Sequence, residues 1–127
     1  MPIDATLPYD PTNIFARILR DEIPSKRVYE DDHAIAFQDI APQAPTHILV
    51  IPRGPYVSWD DFSARASDAE IAGFVRAVGT VAREHALVEP GYRLLANTGP
   101  HGGQEVPHLH VHLFGGQPLG PMLSPGH

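Results

Sequence analysis

The run His108-Leu109-His110-Val111-His112-Leu113-Phe114 alternates imidazole and aliphatic side chains with a period of two. A β-strand sends successive side chains to opposite faces, and Val111, Leu113 and Phe114 favour that geometry. Such a run requires a sheet. One face, with Leu109, Val111 and Leu113, lies on a core, and the other presents three imidazoles roughly 6–7 Å apart. Each ring carries a donor and an acceptor, so a plain apolar core does not suit three of them. A solvent-facing strand rarely selects histidine three times in succession. The run points to a site for metal or phosphorus chemistry.

The rest of the chain supplies the sheet and its cover. Thr12 or Asn13 caps a short helix from Asn13 to about Glu22, with Ile14, Phe15, Ile18 and Leu19 on one stripe, and Ile23-Pro24 ends it. Arg27 to Glu30 and His33 to Asp39 read as a hairpin turning at Asp31-Asp32. After the rigid segment Ala41 to Pro45, His47 opens a third strand, Ile48 to Pro52. Trp59 and Phe62 are expected to pin residues 53–66 to the core. Ser67-Asp68-Ala69-Glu70 is a capping box before a long helix. Its apolar positions Ile71, Phe74, Val75, Val78, Val81 and Ala82 follow helical spacing, and Pro90-Gly91 is expected to stop it. Tyr92 to Asn97 is a fourth strand, residues 98–107 a glycine-rich loop, and His108 to Phe114 the fifth strand. This order predicts an α+β fold, an antiparallel sheet with helices packed on it.

With 127 residues the chain is expected to form one domain, flanked by a flexible N-terminal arm, residues 1–11, and a C-terminal tail, residues 117–127. Nine basic against fifteen acidic side chains give a formal charge of −6, and Lys26 is the only lysine. A groove for polymeric nucleic acid needs a basic excess, so a small anion is the better ligand class. The lack of cysteine removes disulfides, thiolate metal sites and a cysteine nucleophile. The longest aliphatic run, Ile48 to Ile51, is far short of a membrane span, and the N-terminus lacks the apolar stretch of a signal peptide. The expectation is a soluble, cytoplasmic protein without a membrane partner.

Two chemistries suit the histidine run. Two of its imidazoles, with His47 as a third ligand, suit a zinc site with an open position. Three ligands from alternate residues of one strand span roughly 13 Å, however, and cannot share an ion with bonds of about 2 Å. Glu105 is the only acidic residue near enough in sequence to serve as a base. Phosphorus chemistry fits better: a middle histidine attacks while its neighbours donate to the phosphoryl oxygens and the departing atom. The preceding loop Asn97-Thr98-Gly99-Pro100-His101-Gly102-Gly103-Gln104 adds backbone and amide donors. Neither a P-loop nor a dinucleotide glycine pattern is present.

These residues resemble the histidine-triad (HIT) superfamily. His108 to Phe114 matches its signature, in which three histidines alternate with apolar residues. Asp39-Ile40-Ala41-Pro42-Gln43-Ala44-Pro45-Thr46-His47 with Ile48 to Pro52 resembles the second block of the nucleotide-binding (Hint) branch. Asn13-Ile14-Phe15 through Glu22-Ile23-Pro24 resembles the first, and the resemblance covers residues 12–123, with the domain itself at 12–116. It implies a HIT-like fold with one long and one short helix, a five-stranded sheet extended across a homodimer, and no cofactor or metal. It also implies hydrolysis of purine nucleoside phosphoramidates, with aminoacyl-adenylates as further substrates, releasing AMP or GMP through a phosphohistidine. By matching position, His110 would be the nucleophile and the His108 carbonyl would hold its ring. His112 would bind phosphate oxygen, and His47 with His108 would lie near the leaving amine. Asn97, Gly103 and Gln104 would contact phosphate or the ring system, and Asp39 the ribose hydroxyls. Ile14, Phe15, Ile18, Ile23, Phe37 and Ile40 would line the base pocket. A dinucleoside polyphosphate hydrolase and a non-catalytic purine-nucleotide-binding scaffold are the alternatives. Glu105, where some relatives carry a hydroxyl, and a tail without tryptophan depart from the pattern.

Overall fold

Antiparallel pairing organises the computed structural model, which describes residues 2–124. The strands are β1 (Arg27–Glu30), β2 (Ala34–Gln38), β3 (Thr46–Pro52), β4 (Arg93–Leu95) and β5 (Val111–Gly115). Their order is β1-β2-β3-β5-β4, and each neighbouring pair is antiparallel. The helices are α1 (Ile14–Leu19), α2 (Trp59–Arg65), α3 (Asp68–Glu84) and the single turn α4 (Gly99–Gly102). The expected α+β, five-stranded antiparallel fold is therefore observed, with α2 and α4 added to the long and short helices anticipated.

Period-two alternation gives the sheet two different faces. Ala34, Ala36, Ile48, Val50, Val111 and Leu113 join Phe62, Phe74, Val78 and Val81 in one buried cluster, so α3 covers that face. Ile35, Phe37, Leu49 and Ile51 form the second cluster with Phe15 and Ile18 of α1. The helix ends are set by local chemistry. Asn13 accepts from the Ala16 N–H to start α1, and Ser67 and Glu70 close the expected capping box on α3.

Several boundaries differ from the sequence expectation. β5 begins at Val111 rather than His108, because the Leu109 N–H is diverted to the Tyr56 carbonyl at 2.8 Å and leaves the ladder. Helix α1 stops at Leu19, and Asp21 takes φ 61°, before Ile23-Pro24 is reached. Helix α3 ends at Glu84, well ahead of Pro90-Gly91. There the Leu87 N–H bonds the Ala82 carbonyl and the Ala86 N–H bonds that of Arg83, a Schellman closure with Ala86 at φ 56°. Phe62 is buried, but Trp59 is 46% exposed and does not pin the connection. Val75, assigned to the core by spacing, is 56% exposed.

Hydrogen bonds lay the N-terminal arm, expected to be flexible, on the body, one of them from the Arg20 guanidinium to the Pro11 carbonyl. The Ile3 N–H donates to the Gln104 carbonyl at 2.8 Å, and the Tyr9 hydroxyl meets His108 at 2.7 Å. The Arg93 guanidinium holds the tail by donating to the Gly120 and Pro121 carbonyls; residues 125–127 of the expected tail lie outside the described residues. Among the described residues no helix is long and apolar enough to cross a membrane.

Ala86 carries a Cβ in a left-handed conformation that disfavours one by roughly 1–2 kcal/mol. Ala86→Gly should therefore stabilise the fold by about 1 kcal/mol, read as a higher urea midpoint at constant slope; a lower midpoint would contradict the Schellman assignment.

Candidate active site

The face of the sheet beneath α1 carries the polar chemistry. β3 turns His47, Leu49 and Ile51 to this face, and β5 adds His112 and Phe114, with His47 opposite Phe114 and Leu49 opposite His112. His110 lies just ahead of the ladder, its ring nearly perpendicular to that of Phe15 with 5.0 Å between centroids. The His110 and His112 rings are 5.1 Å apart, and those of His47 and His112 5.2 Å. Three histidines thus converge on one patch.

Their hydrogen bonds determine which nitrogen carries each proton. His110 Nδ1 lies 2.8 Å from the His108 carbonyl, which can only accept, so Nδ1 holds hydrogen and Nε2 keeps its lone pair. His47 Nδ1 accepts the Gln43 backbone N–H at 3.1 Å, so its Nε2 bears hydrogen. That Nε2–H donates to His112 Nδ1 at 2.9 Å. The remaining nitrogen of neutral His112, Nε2, is therefore a donor. The patch offers one imidazole lone pair beside one imidazole N–H, both set by backbone groups two residues or more away.

Burial keeps these rings neutral. It lowers the His110 pKa below the usual imidazole value, against the opposing effects of the His108 carbonyl and Asp39. It also takes His112 down to about 4, helped by the neighbouring His110 and His47. His47 is lowered by burial and partly restored by Asp39. Asp39 anchors itself by accepting the Ala41 N–H at 2.8 Å and sets its other oxygen 3.4 Å from His47 Nε2.

His108 differs from the other three. Its ring is fully buried, with Nε2 donating to the Pro52 carbonyl at 2.9 Å and Nδ1 meeting the Tyr9 hydroxyl. Both nitrogens are occupied, so its side chain does not face the patch where a leaving amine was expected; its carbonyl does hold His110. Gln104 is also buried. Its amide N–H groups go to the Val57 and Val106 carbonyls and its oxygen accepts the Gly99 N–H, so the side chain braces the loop instead of offering donors to phosphate. Gly103, at φ 76°, caps α4 in a conformation suited to glycine, and Asn97 is half-buried just beyond β4.

The expected base-pocket residues divide into floor and rim. Phe15, Ile18 and Phe37 are core, and Ile23 packs against them. Ile14 is 44% exposed, and Ile40, next to Asp39, is 98% exposed. Ile40 lines no wall in the free chain. The sequence offered no signal for Tyr9 or Pro52, because their partner lies 99 and 56 residues away.

A second grouping involves the same side chains. One ligand atom each from Asp39, His47 and His112 lies within 4.8 Å of the others. The zinc set weighed from sequence joined two histidines of one strand to His47; the fold instead brings Asp39 to a single one of them.

Because burial depresses His108 and His112 to about 4 from 6.5, their neutral forms stabilise the fold fully above about pH 6.5, and this contribution is lost as pH falls toward 4. The urea midpoint should decline over that window. In parallel, the ring signals of His108 and His112 should stay unshifted in NMR titration from pH 7.5 to about 5.5; ordinary imidazole titration of either ring would contradict the buried, neutral assignment.

Comparison with known proteins agrees with this architecture. A HIT domain model matches residues 20–119. The chain is 66% identical over 118 residues to an uncharacterised 13.2 kDa HIT-like protein of Azospirillum brasilense, covering 93% of this chain and 97% of that one. It is 50% identical over 111 residues to a purine nucleoside phosphoramidase of Escherichia coli strain K12, covering 87% and 92%. Among solved structures it resembles a HIT family hydrolase from Legionella pneumophila Philadelphia 1, with a TM-score of 0.74 and 40% identity over 83% of this chain and 93% of that one. The signature run, its placement on an antiparallel sheet and these matches together make this chain a member of the HIT-domain family, among its hydrolases.

Proposed function

We propose that the protein hydrolyses purine nucleoside phosphoramidates, cleaving the P–N bond in two displacements and releasing a nucleoside 5′-monophosphate. The observation that carries this is the His108 carbonyl on His110 Nδ1, which leaves Nε2 as a buried, neutral nucleophile. The similarity to a purine nucleoside phosphoramidase supports the substrate class.

In the first step His110 Nε2 forms a bond to phosphorus as the P–N bond breaks, and the departing nitrogen takes a proton from solvent and leaves as the amine. Phosphorylation makes the His110 ring cationic, since Nδ1 keeps its hydrogen. The 2.8 Å bond to the His108 carbonyl then becomes charge-assisted and stabilises the intermediate. His112 Nε2–H donates to a phosphoryl oxygen, and His47 orients it through Nδ1. Water then attacks phosphorus from the vacated side and gives its proton to solvent, and the P–Nε2 bond breaks with its electron pair returning to His110. Asp39, beside His47, takes the ribose hydroxyls in this proposal. The bare Ile40 and Ile14 side chains offer a purine ring apolar surface that the free chain leaves in solvent.

The Asp39, His47 and His112 grouping favours a second reading, a metal-dependent hydrolase with three protein ligands and an open position. Hydrolysis of adenosine 5′-phosphoramidate separates the two. His110→Ala should lose about 10³-fold or more in kcat, and a chelator should leave the wild-type rate unchanged. Comparable rates for the two proteins would remove the nucleophile assignment. Inactivation by chelator with recovery on adding zinc would establish the metal reading instead.

A homodimer belongs to the same proposal. β4 is an edge strand, and Tyr92, Leu94, Trp59 and Val75 are exposed around an adjoining groove of about 630 Å³. A second copy covering this groove would continue the sheet through β4 and bury those side chains. Sedimentation at micromolar concentration should show a dimer for the wild type and a monomer for Leu94→Asp; a monomeric wild type would contradict the pairing.

A further inference from the structure

We infer that Tyr9, in the N-terminal arm, is a positioning residue for the His110 nucleophile. Two hydrogen bonds connect them through His108, and a third braces its ring. The Tyr9 hydroxyl lies 2.7 Å from His108 Nδ1, His108 Nε2 lies 2.9 Å from the Pro52 carbonyl, and the His108 carbonyl lies 2.8 Å from His110 Nδ1. Pro52 O can only accept, so His108 carries its hydrogen on Nε2. Its Nδ1 is then an acceptor, and the Tyr9 hydroxyl must donate. With Tyr9 on one edge and Pro52 on the other, the His108 ring is held at both nitrogens, and its backbone carbonyl is held with it.

The arm is built to place this hydroxyl. The residue after Tyr9, Asp10, accepts from both the backbone N–H and the hydroxyl of Thr12 through one carboxylate oxygen. The Asp10 carbonyl takes the Asn13 side-chain amide at 2.7 Å, and Asn13 in turn caps α1. Tyr9 is thus locked to the helix whose Phe15 lies edge-on to both His108 and His110. The Tyr9 ring itself stands edge-on to His108, 5.6 Å between centroids. Removing the hydroxyl strands a fully buried acceptor on His108. The ring then turns or admits water, and the carbonyl that orients His110 shifts with it. The nucleotide-facing groups His112, His47 and Asp39 make no contact with Tyr9 in this chain of bonds, so substrate affinity is left alone.

The kinetic part of this inference rests on the phosphoramidase proposal; the spectroscopic part does not. Full-length Tyr9→Phe keeps the ring and deletes the donor, and Leu7→Ala, at a side chain 59% exposed on the same arm, serves as the control. With adenosine 5′-phosphoramidate, Tyr9→Phe should lower kcat about tenfold with KM within about twofold, and Leu7→Ala should match wild type. In ¹⁵N spectra of the imidazoles, the His108 Nδ1 resonance should move downfield, and the His110 Nδ1–H signal should weaken through faster exchange. An unchanged kcat, or a loss shared by Leu7→Ala, would overturn the assignment. Unmoved ring resonances would overturn it as well, whatever the kinetics. A wild type that leaves phosphoramidate untouched would refute the parent proposal, and the ring resonances alone would then decide whether Tyr9 positions His108 and His110.

Discussion

One backbone carbonyl sets the tautomer at the centre of the histidine patch. His108 O accepts from His110 Nδ1, and that single bond decides which nitrogen of His110 is free. A neutral imidazole has one donor and one acceptor, so fixing one nitrogen fixes the other. The same logic runs through the neighbouring rings: the Gln43 N–H sets His47, and His47 sets His112. Each proton position traces back to a peptide group, and peptide groups hold their orientation far better than exposed side chains. The site is preorganised before any ligand arrives.

This arrangement depends on burial in two ways. Removing water from His110 and His112 disfavours their cationic forms and keeps the lone pair and the donor available near neutral pH. It also makes every unpaired polar atom costly, and among the described residues no buried side-chain nitrogen or oxygen lacks a partner. Tyr9, Pro52 and Gln104 belong to that satisfaction. None of the three faces the patch, yet together they fill the hydrogen-bonding capacity of the loop and strand entry that carry it.

The sheet supplies the framework. α3 covers one face through an apolar cluster, which leaves the other free to mix a small core under α1 with imidazoles at its edge. Pairing between β3 and β5 places His47 diagonal to His112, a proximity created by register and not by closeness in sequence. Ile40, next to Asp39 in the chain, stands in solvent, and Ile14 on α1 is partly exposed.

Much of this was legible in the residues. Alternation over His108 to Phe114 announced a strand with a chemical face, helical spacing and the capping box marked α3, and the first hairpin followed from its turn at Asp31-Asp32. These signals are local, because they reflect backbone geometry and side-chain periodicity over a few residues. What sequence could not supply was long-range. Three equivalent-looking histidines became unequal because Leu109 bonds Tyr56 and draws His108 inward, away from the ladder. Gln104 reads as a phosphate donor until the fold spends its amide on Val57 and Val106. Val75 fits the helical stripe of α3, yet it borders the open groove beside β4 and stays exposed. Sequence determined which residues could carry chemistry and on which element each would lie. The tertiary structure decided which nitrogen each would present, because a tautomer is chosen by the partner on the other side of the ring, and those partners come from distant parts of the chain.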